Sequence, residues 1–360
     1  MHTPIATGAA IPAAVAEALA GGPGVLVGAD DTRIPTGWQP QGPPLARDVA
    51  VLIGTSGSTG APKGVLLTRD AIAASVRATH RRLGGAGHWV CPLPMHYVAG
   101  MMTAARAALG GGALSVVPSE LTELPLRPGR NYLSVVAAQL HRALESDAIT
   151  GALAGFDAIL VGGSAIPAGL LHRGREAGLT LVPTYGMAET CGGCVYAGVP
   201  LDDVAVTIDD DDRISLSGPM VFSGYRLDPR LTEQVLAGRT LRTSDRGRWS
   251  QGRLQVLGRA DDVVISGGSN VDLAHVQRVA DDELGPGVLA VLAVPDERWG
   301  ARIVALTDRD LDRTVITATL RRRLDAAAVP REVRRVAGLP RTSTGKIDRR
   351  VLRQRWNEES

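Results

Sequence analysis

The chain has 360 residues, with 39 basic and 37 acidic side chains, a formal net charge of +2 and only 3% aromatics. That length allows two or three domains around a large core of Val, Leu, Ile and Ala, and the balanced charge gives no electrostatic case for nucleic acid. No apolar run reaches the about 18 residues of a membrane span, the start MHTPIATGAAIP lacks a secretory pattern, and three cysteines, Cys91, Cys191 and Cys194, argue against a disulfide framework. A reducing, cytoplasmic setting is expected.

Residues 1–45 are rich in Gly, Pro and Ala and predict one short helix, Ile11 to Ala20, before a loosely structured approach. Val49 to Ile53 is a short apolar run that reads as a buried strand. After a glycine-rich stretch, Asp70 to Leu83 reads as a helix. Strand-like runs at Trp89–Leu93, Leu114–Val117, Tyr132–Val136, Ala158–Val161 and Leu179–Val182 then alternate with helix-like runs at Met101–Leu109, Ala137–Leu144 and Ala168–Ala177. This alternation predicts an α/β domain with a mainly parallel sheet. Beyond Glu189 the runs shorten: Val204–Ile208, Arg213–Leu216, Thr240–Thr243, Gly247–Trp249 and Leu254–Leu257 suggest a small β-rich meander. Leu273–Leu284 and Leu311–Ala327 read as helices, and Val288–Val294, Arg302–Thr307 and Val333–Val336 as strands. They form an α+β unit on the scale of a separate domain. The expected division is a large domain over 1–258 and a small one over 259–360.

The chemistry-bearing stretch is TSGSTGAPKGV, Thr55 to Val65. Gly57, Gly60 and Gly64 let the backbone bring N–H groups close to a ligand, and Thr55, Ser56, Ser58, Thr59 and Lys63 add hydroxyls and one ammonium, a set suited to a phosphate chain. It is not a Walker A loop, because Gly64 stands where that motif needs Ser or Thr after the Lys. Lys63 and Lys346 are the only lysines among the 39 basic residues, and both lie among Gly, Ser and Thr. A compact ammonium fits where a planar guanidinium does not, so two tight phosphate or carboxylate contacts are expected.

Further candidates follow strands. TYGMAETCGG, Thr184 to Gly193, lies where α/β folds place ligands; Tyr185 can stack on a base and Glu189 can hold a cation. Gly162, with Gly163 and Ser164, ends another strand. Asp245, in RTSDRGR, can accept from sugar hydroxyls, although an Asp in a turn is more often a cap. Cys191 and Cys194 form a CxxC, but zinc needs two further ligands, and packing is the better account. His96, in the apolar loop CPLPMHYVAG, can face a pocket.

Taken in order, TSGSTGAPKGV (55–65), PLPMHYVAG (92–100), TYGMAET (184–190), SGPMVFSGY (217–225), TSDRGR (243–248), GRADDVVISGG (258–268) and PRTSTGKIDRRVLR (340–353) resemble the adenylate-forming acyl-CoA synthetase superfamily. YLSVVAAQL (132–140) and ETCGGCVYAGVPLDDV (189–204) are similar to its o-succinylbenzoate–CoA ligase branch, in a short actinobacterial form with a trimmed N-terminal subdomain.

The resemblance implies a large N-terminal domain, a parallel α/β sheet with a small β-rich subdomain, and a small mobile α+β C-terminal domain. It implies ATP-dependent, AMP-forming ligation of 2-succinylbenzoate to coenzyme A through an acyl-adenylate, in menaquinone biosynthesis. Another aryl- or acyl-acid ligase, or a nucleotide-binding scaffold, is the alternative. It also implies that Thr55, Ser56, Gly57, Ser58, Thr59, Gly60 and Lys63 hold the β- and γ-phosphates. Mg²⁺ would bind Glu189; Gly162, Tyr185 and Gly186 would border the nucleotide, with Tyr185 against adenine; Asp245 would accept from the ribose hydroxyls, and Arg259 would reach the ribose or phosphate region. Lys346 would bridge the carboxylate and phosphate oxygens, and Asp262, beside Asp261, would be an exposed hinge. His96, Arg106 and Gln139 are acyl-substrate candidates by segment placement. Ala188 departs from the pattern, standing where the family usually has a Thr or Ser that donates to the α-phosphate; one lost charge-assisted hydrogen bond is worth roughly 1.5–3 kcal/mol. Thr190 has the right chemistry two residues on. A homodimer is the default assembly.

Overall fold

The computed structural model describes residues 3–29, 34–39, 41–55, 63–341 and 347–358. Two sheets and the helices between them form the first part of the chain. In the first sheet, strands Ile5–Thr7, Val25–Gly28 and Val49–Thr55 run parallel, then Lys63–Thr68 and Gly224–Tyr225 add antiparallel. The N-terminal stretch is therefore more regular than its Gly- and Pro-rich composition predicts. Its helix Ile11–Leu19 turns Ile11, Val15 and Ala18 into the core, the spacing of one helical face.

The phosphate-loop candidate does not lead from strand to helix. It joins two antiparallel neighbours, and Thr55 and Lys63 stand directly opposite each other at its ends. The strand Lys63–Thr68 comes before the helix Arg69–Leu83, which begins where Thr68 Oγ1 accepts from the Ala71 N–H at 3.1 Å.

The second sheet has seven strands. His88–Cys91, Leu114–Val116, Asn131–Val136, Ala158–Gly162 and Leu181–Met187 pair in parallel, and Gly192–Tyr196 and Val199–Pro200 extend it antiparallel. The inner parallel strands His88–Cys91, Asn131–Val136 and Ala158–Gly162 are rich in apolar residues because both their faces are covered. Helices Val98–Gly110, Ala137–Ala143, Asp147–Leu153 and Ala168–Glu176 make the connections. The strand predicted at Leu179–Val182 continues to Met187, so TYGM lies inside a strand rather than after it.

The β-rich part pairs Ala205–Ile208, Arg213–Ser217, Thr240–Ser250, Leu236–Ala237 and Arg253–Arg259 in antiparallel register. Thr240–Ser250 is one long strand, not two; a register shift at Arg246/Gly247 bends it where the sequence seemed to break. After Arg253–Arg259 the chain makes a 3-10 turn, Ala260–Asp262, and enters a different sheet.

That last sheet contains Val263–Ser266, Ser269–Asp272, Ala290–Asp296, Gly300–Thr307 and Glu332–Arg335. Period-two alternation gives it two apolar faces. Val291, Ile303 and Ala305 pack under helices Leu273–Leu284 and Arg313–Leu320, while Leu292, Val304 and Leu306 meet Leu352 and Trp356 of Arg349–Glu358. The second helix ends at Leu320, short of the predicted Ala327.

Candidate active site

The motifs converge as two polar clusters joined by the stretch Tyr185 to Glu189. In the first, Glu189 sits in a 3-10 turn, Ala188–Thr190, and is only 8% exposed. Tyr225 Oη donates to Glu189 Oε1 at 2.8 Å, and the Phe222 N–H donates to the Glu189 carbonyl at 2.9 Å. The Lys63 ammonium lies 5.4 Å from the centroid of the Tyr225 ring. Burial, and then the Glu189 carboxylate, push the Tyr225 phenol well above the usual tyrosine range, so it remains a neutral donor.

In the second cluster, Tyr185 Oη donates to Asp245 Oδ2 at 2.8 Å. Arg259 stands opposite Asp245 in the ladder, with its Nη1 3.7 Å from Asp245 Oδ1, and its Nη2 donates to Asp261 at 2.9 Å. Asp245 is 9% exposed and its N–H donates to Thr243 Oγ1 at 3.0 Å, so it is a fixed acceptor rather than a solvated turn residue. Burial, then Asp245, raise the Tyr185 phenol far above its ordinary value.

Local backbone explains why these residues meet. Strands Leu181–Met187 and Gly192–Tyr196 approach so closely that a Cβ on Gly186 would lie 2.1 Å from the Gly192 carbonyl oxygen. Between them Cys191 adopts a left-handed conformation at φ 51, a strained choice for a residue with a side chain. Gly162 ends its strand beside Thr184. Thr190 does not replace the hydroxyl missing at Ala188: it is fully buried, accepts from the Met187 N–H at 2.9 Å and donates to the Gly192 carbonyl at 2.8 Å.

Ser56, Gly57, Ser58, Thr59, Gly60 and Lys346 lie outside the described residues. Asp262 closes the turn between the β-rich part and the last sheet; it is half-buried, and its neighbour Asp261 is exposed. Cys91, Cys191 and Cys194 are free and buried, and burial pushes the Cys194 thiol up to about 12. No cluster of three or more metal-capable side chains occurs among the described residues, and no helix there is long and apolar enough to cross a membrane.

The three acyl-substrate candidates separate. His96 lines an apolar groove of about 460 Å³ between the start of helix Ile11–Leu19, the 92–96 loop and Val116. Gln139 is spent on the main chain: its amide donates to the carbonyls of Pro92 and Ser119, and its oxygen accepts from the Val136 N–H. That satisfies the side chain internally and leaves it a loop fastener. Arg106 is 4% exposed, with its guanidinium carbon 5.0 Å from the Trp89 ring centroid. Its Nε has no hydrogen-bond partner, and no ion pair to it occurs among the described residues.

Tyr225, which contacts both Glu189 and Lys63, is a candidate that sequence reasoning missed. Its signal was present, because Phe222 and Tyr225 stand within four positions in a chain with 3% aromatics, inside SGPMVFSGY.

Known proteins resemble this chain in sequence and fold. The AMP-binding enzyme family matches residues 12–226, and the AMP-binding enzyme C-terminal domain matches residues 288–346. A probable 2-succinylbenzoate–CoA ligase of Mycobacterium tuberculosis is 40% identical over 334 residues, covering 87% of this chain and 86% of the relative. The 2-succinylbenzoate–CoA ligase of Enterococcus faecalis is 31% identical, over 85% of this chain and 70% of its own. Among solved structures, an amide bond synthetase from Marinactinospora thermotolerans superposes with a TM-score of 0.75 at 25% identity, covering 93% of this chain and 76% of the other. The o-succinylbenzoate CoA synthetase of Bacillus subtilis, in complex with its acyl-adenylate intermediate, gives 0.74 at 23% identity, covering 95% and 80%. With more than half its length matched by the first of these domains and most of it by relatives of the same type, the chain belongs to the AMP-binding enzyme family.

Proposed function

We propose that the chain is an AMP-forming 2-succinylbenzoate–CoA ligase acting in menaquinone biosynthesis. The observation that carries this reading is the 40% identity, across 87% of the chain, to a probable ligase of that name. In the first half-reaction a substrate carboxylate oxygen attacks the α-phosphorus of ATP, the bond to the β-phosphate oxygen breaks, and pyrophosphate leaves. In the second, the coenzyme A thiol, losing its proton, attacks the acyl carbon and AMP departs with the electron pair.

The two clusters suit these demands. Asp245, held by Tyr185 and Arg259, offers carboxylate oxygen to ribose hydroxyls. Thr55 and Lys63 stand at the two ends of the loop that would hold the β- and γ-phosphates. Mg²⁺ fits the donor set: it is commonly held by one or two carboxylates plus phosphate oxygens and water, and Glu189 offers one oxygen besides the one bonded to Tyr225. When bound, the ion would neutralise phosphate charge. Lys346 would stabilise charge passing to the leaving group, and rotation about Asp262 of the unit 259–360 against 1–258 would withdraw it before thiol attack. Free thiols at Cys91, Cys191 and Cys194 support a cytoplasmic setting.

Arg106 would read the second carboxylate of the acid. A buried cation without an anion is costly, and an incoming carboxylate would supply the missing partner. Met102, one helical turn earlier, already lies 3.7 Å from where a Gly192 Cβ would stand, which places this helix against the motif segment. Arg106→Met is expected to raise KM for 2-succinylbenzoate roughly 10- to 100-fold through loss of hydrogen bonding to a charged group, with KM for ATP unchanged. An equal rise in both would remove Arg106 from the acyl site.

The deciding experiment is pyrophosphate release from ATP with 2-succinylbenzoate, with and without coenzyme A. Turnover that requires both acid and thiol, with benzoate and succinate inert, is the expected result. Faster turnover with a monocarboxylic aryl acid would move the chain to another ligase of the family.

A further inference from the structure

We infer that Tyr225 is a positioning residue for adenylation: its hydroxyl orients Glu189, its ring seats Lys63, and it keeps these opposite charges apart until nucleotide arrives. This rests on the reading of Glu189 as the carboxylate of the metal site and Lys63 as a phosphate contact.

An ammonium and a carboxylate facing one ligand site will pair with each other when the ligand is absent, and that pair must break before either can serve. Here they do not pair among the described residues; each meets a different part of the same phenol. The hydroxyl donates to Glu189 Oε1 at 2.8 Å, which restrains the carboxylate plane and takes up one of its two oxygens. The ring face attracts the ammonium by its quadrupole, an attraction that an arriving phosphate can outcompete.

The phenol is itself held rigidly. Tyr225 pairs with Val65 on the strand that carries Lys63, so ring and ammonium share one ladder. Its N–H donates to Thr232 Oγ1 at 2.9 Å, and the Phe222 ring meets it edge-on at 4.9 Å.

The test compares the natural chain with Tyr225→Phe, Tyr225→Leu, Glu189→Gln and the double variant Tyr225→Phe/Glu189→Gln. It measures pyrophosphate release, calorimetric binding of ATP with and without Mg²⁺, and the thermal midpoint. Tyr225→Phe is expected to slow adenylation roughly 10-fold, as loss of one hydrogen bond to a charged group does. It should weaken ATP binding in Mg²⁺ by a similar factor and leave metal-free binding and the midpoint unchanged. Tyr225→Leu should also weaken metal-free binding, since Lys63 loses its seat. In the Glu189→Gln background the added Phe should change little, because coupled residues are not additive.

Tyr225→Phe behaving as the natural chain overturns the proposal. So does a loss that adds in full to that of Glu189→Gln, or one that follows the thermal midpoint of both Tyr225 variants. If Glu189→Gln alone leaves Mg²⁺-dependent binding and rate intact, the reading of Glu189 fails and the proposal falls with it. A Glu189→Gln loss without coupling removes Tyr225 only.

Discussion

Lys346→Ala is expected to slow acyl-adenylate formation roughly 10²–10³-fold, the usual consequence of losing one preorganised donor at a developing charge. The thioester step, started from synthetic acyl-adenylate and coenzyme A, should stay within about threefold of the natural chain, because the missing ammonium would act on pyrophosphate departure. Lys346 is one of only two lysines, and its neighbours are well anchored. Arg341 and Ile347 face each other as an isolated bridge, the Asp348 N–H donates to the Pro340 carbonyl at 2.8 Å, and Ile347 packs against the core around Leu352 and Trp356. Lys346→Arg should recover little, since a planar fork replaces a point charge. Equal slowing of both half-reactions would mean that Lys346 serves the fold or coenzyme A instead.

The large elements were legible because their patterns are local. Leu273–Leu284 repeats its apolar residues at helical spacing and appears with those bounds, and four of the five apolar runs of the parallel sheet appear within two residues of their predicted ends, the exception being the strand that continues to Met187. Misreadings occurred where distant pairing overrides local appearance. Lys63–Thr68 looks like the tail of a loop and is a strand because Val49–Thr55 lies beside it. Ser244, Asp245 and Arg246 look like a break between two strands and sit inside one bulged strand paired on both sides. Ile5–Thr7 and Val25–Gly28 are too short to declare themselves and are strands through mutual pairing. The site followed the same logic. Glu189, Lys63, Tyr185, Asp245 and Arg259 could be selected from their chemistry and motif context, whereas the bond from Tyr225 to Glu189 spans 36 positions and has no local signature. Gln139 misled for the converse reason: a polar side chain in an apolar segment was already satisfied by carbonyls from two other loops.

The second large effect concerns Trp38, which no motif contains. Its indole fills a slot made by two glycines, Gly54 and Gly64, that stand opposite each other one rung before the loop-closing pair Thr55 and Lys63. A Cβ on Gly54 would lie 2.6 Å from Trp38 Cη2, and one on Gly64 would lie 3.3 Å from Trp38 Cε2. Leu26 and Leu52 complete the pocket, and Trp38 is 6% exposed. Arg226 fastens the segment by donating to the carbonyls of Trp38 at 3.2 Å, Gln39 at 3.4 Å and Pro43. Trp38→Ala empties this slot and should cost about 3–5 kcal/mol, a large share of the roughly 5–15 kcal/mol that a domain typically has. The urea midpoint should fall with an unchanged slope. In the folded fraction KM for ATP should rise more than kcat falls, because the root of the loop proposed to bind phosphate loses its support before the reacting groups do. Gly54→Ala attacks the same contact from the other side, by overpacking, and should cost about 1–3 kcal/mol with the same bias toward KM. A Trp38→Ala protein within about 1 kcal/mol of the natural chain, below the usual cost of emptying an aromatic site, would show that the slot collapses freely. If KM for ATP were also unchanged, the loop would hold its shape without the indole.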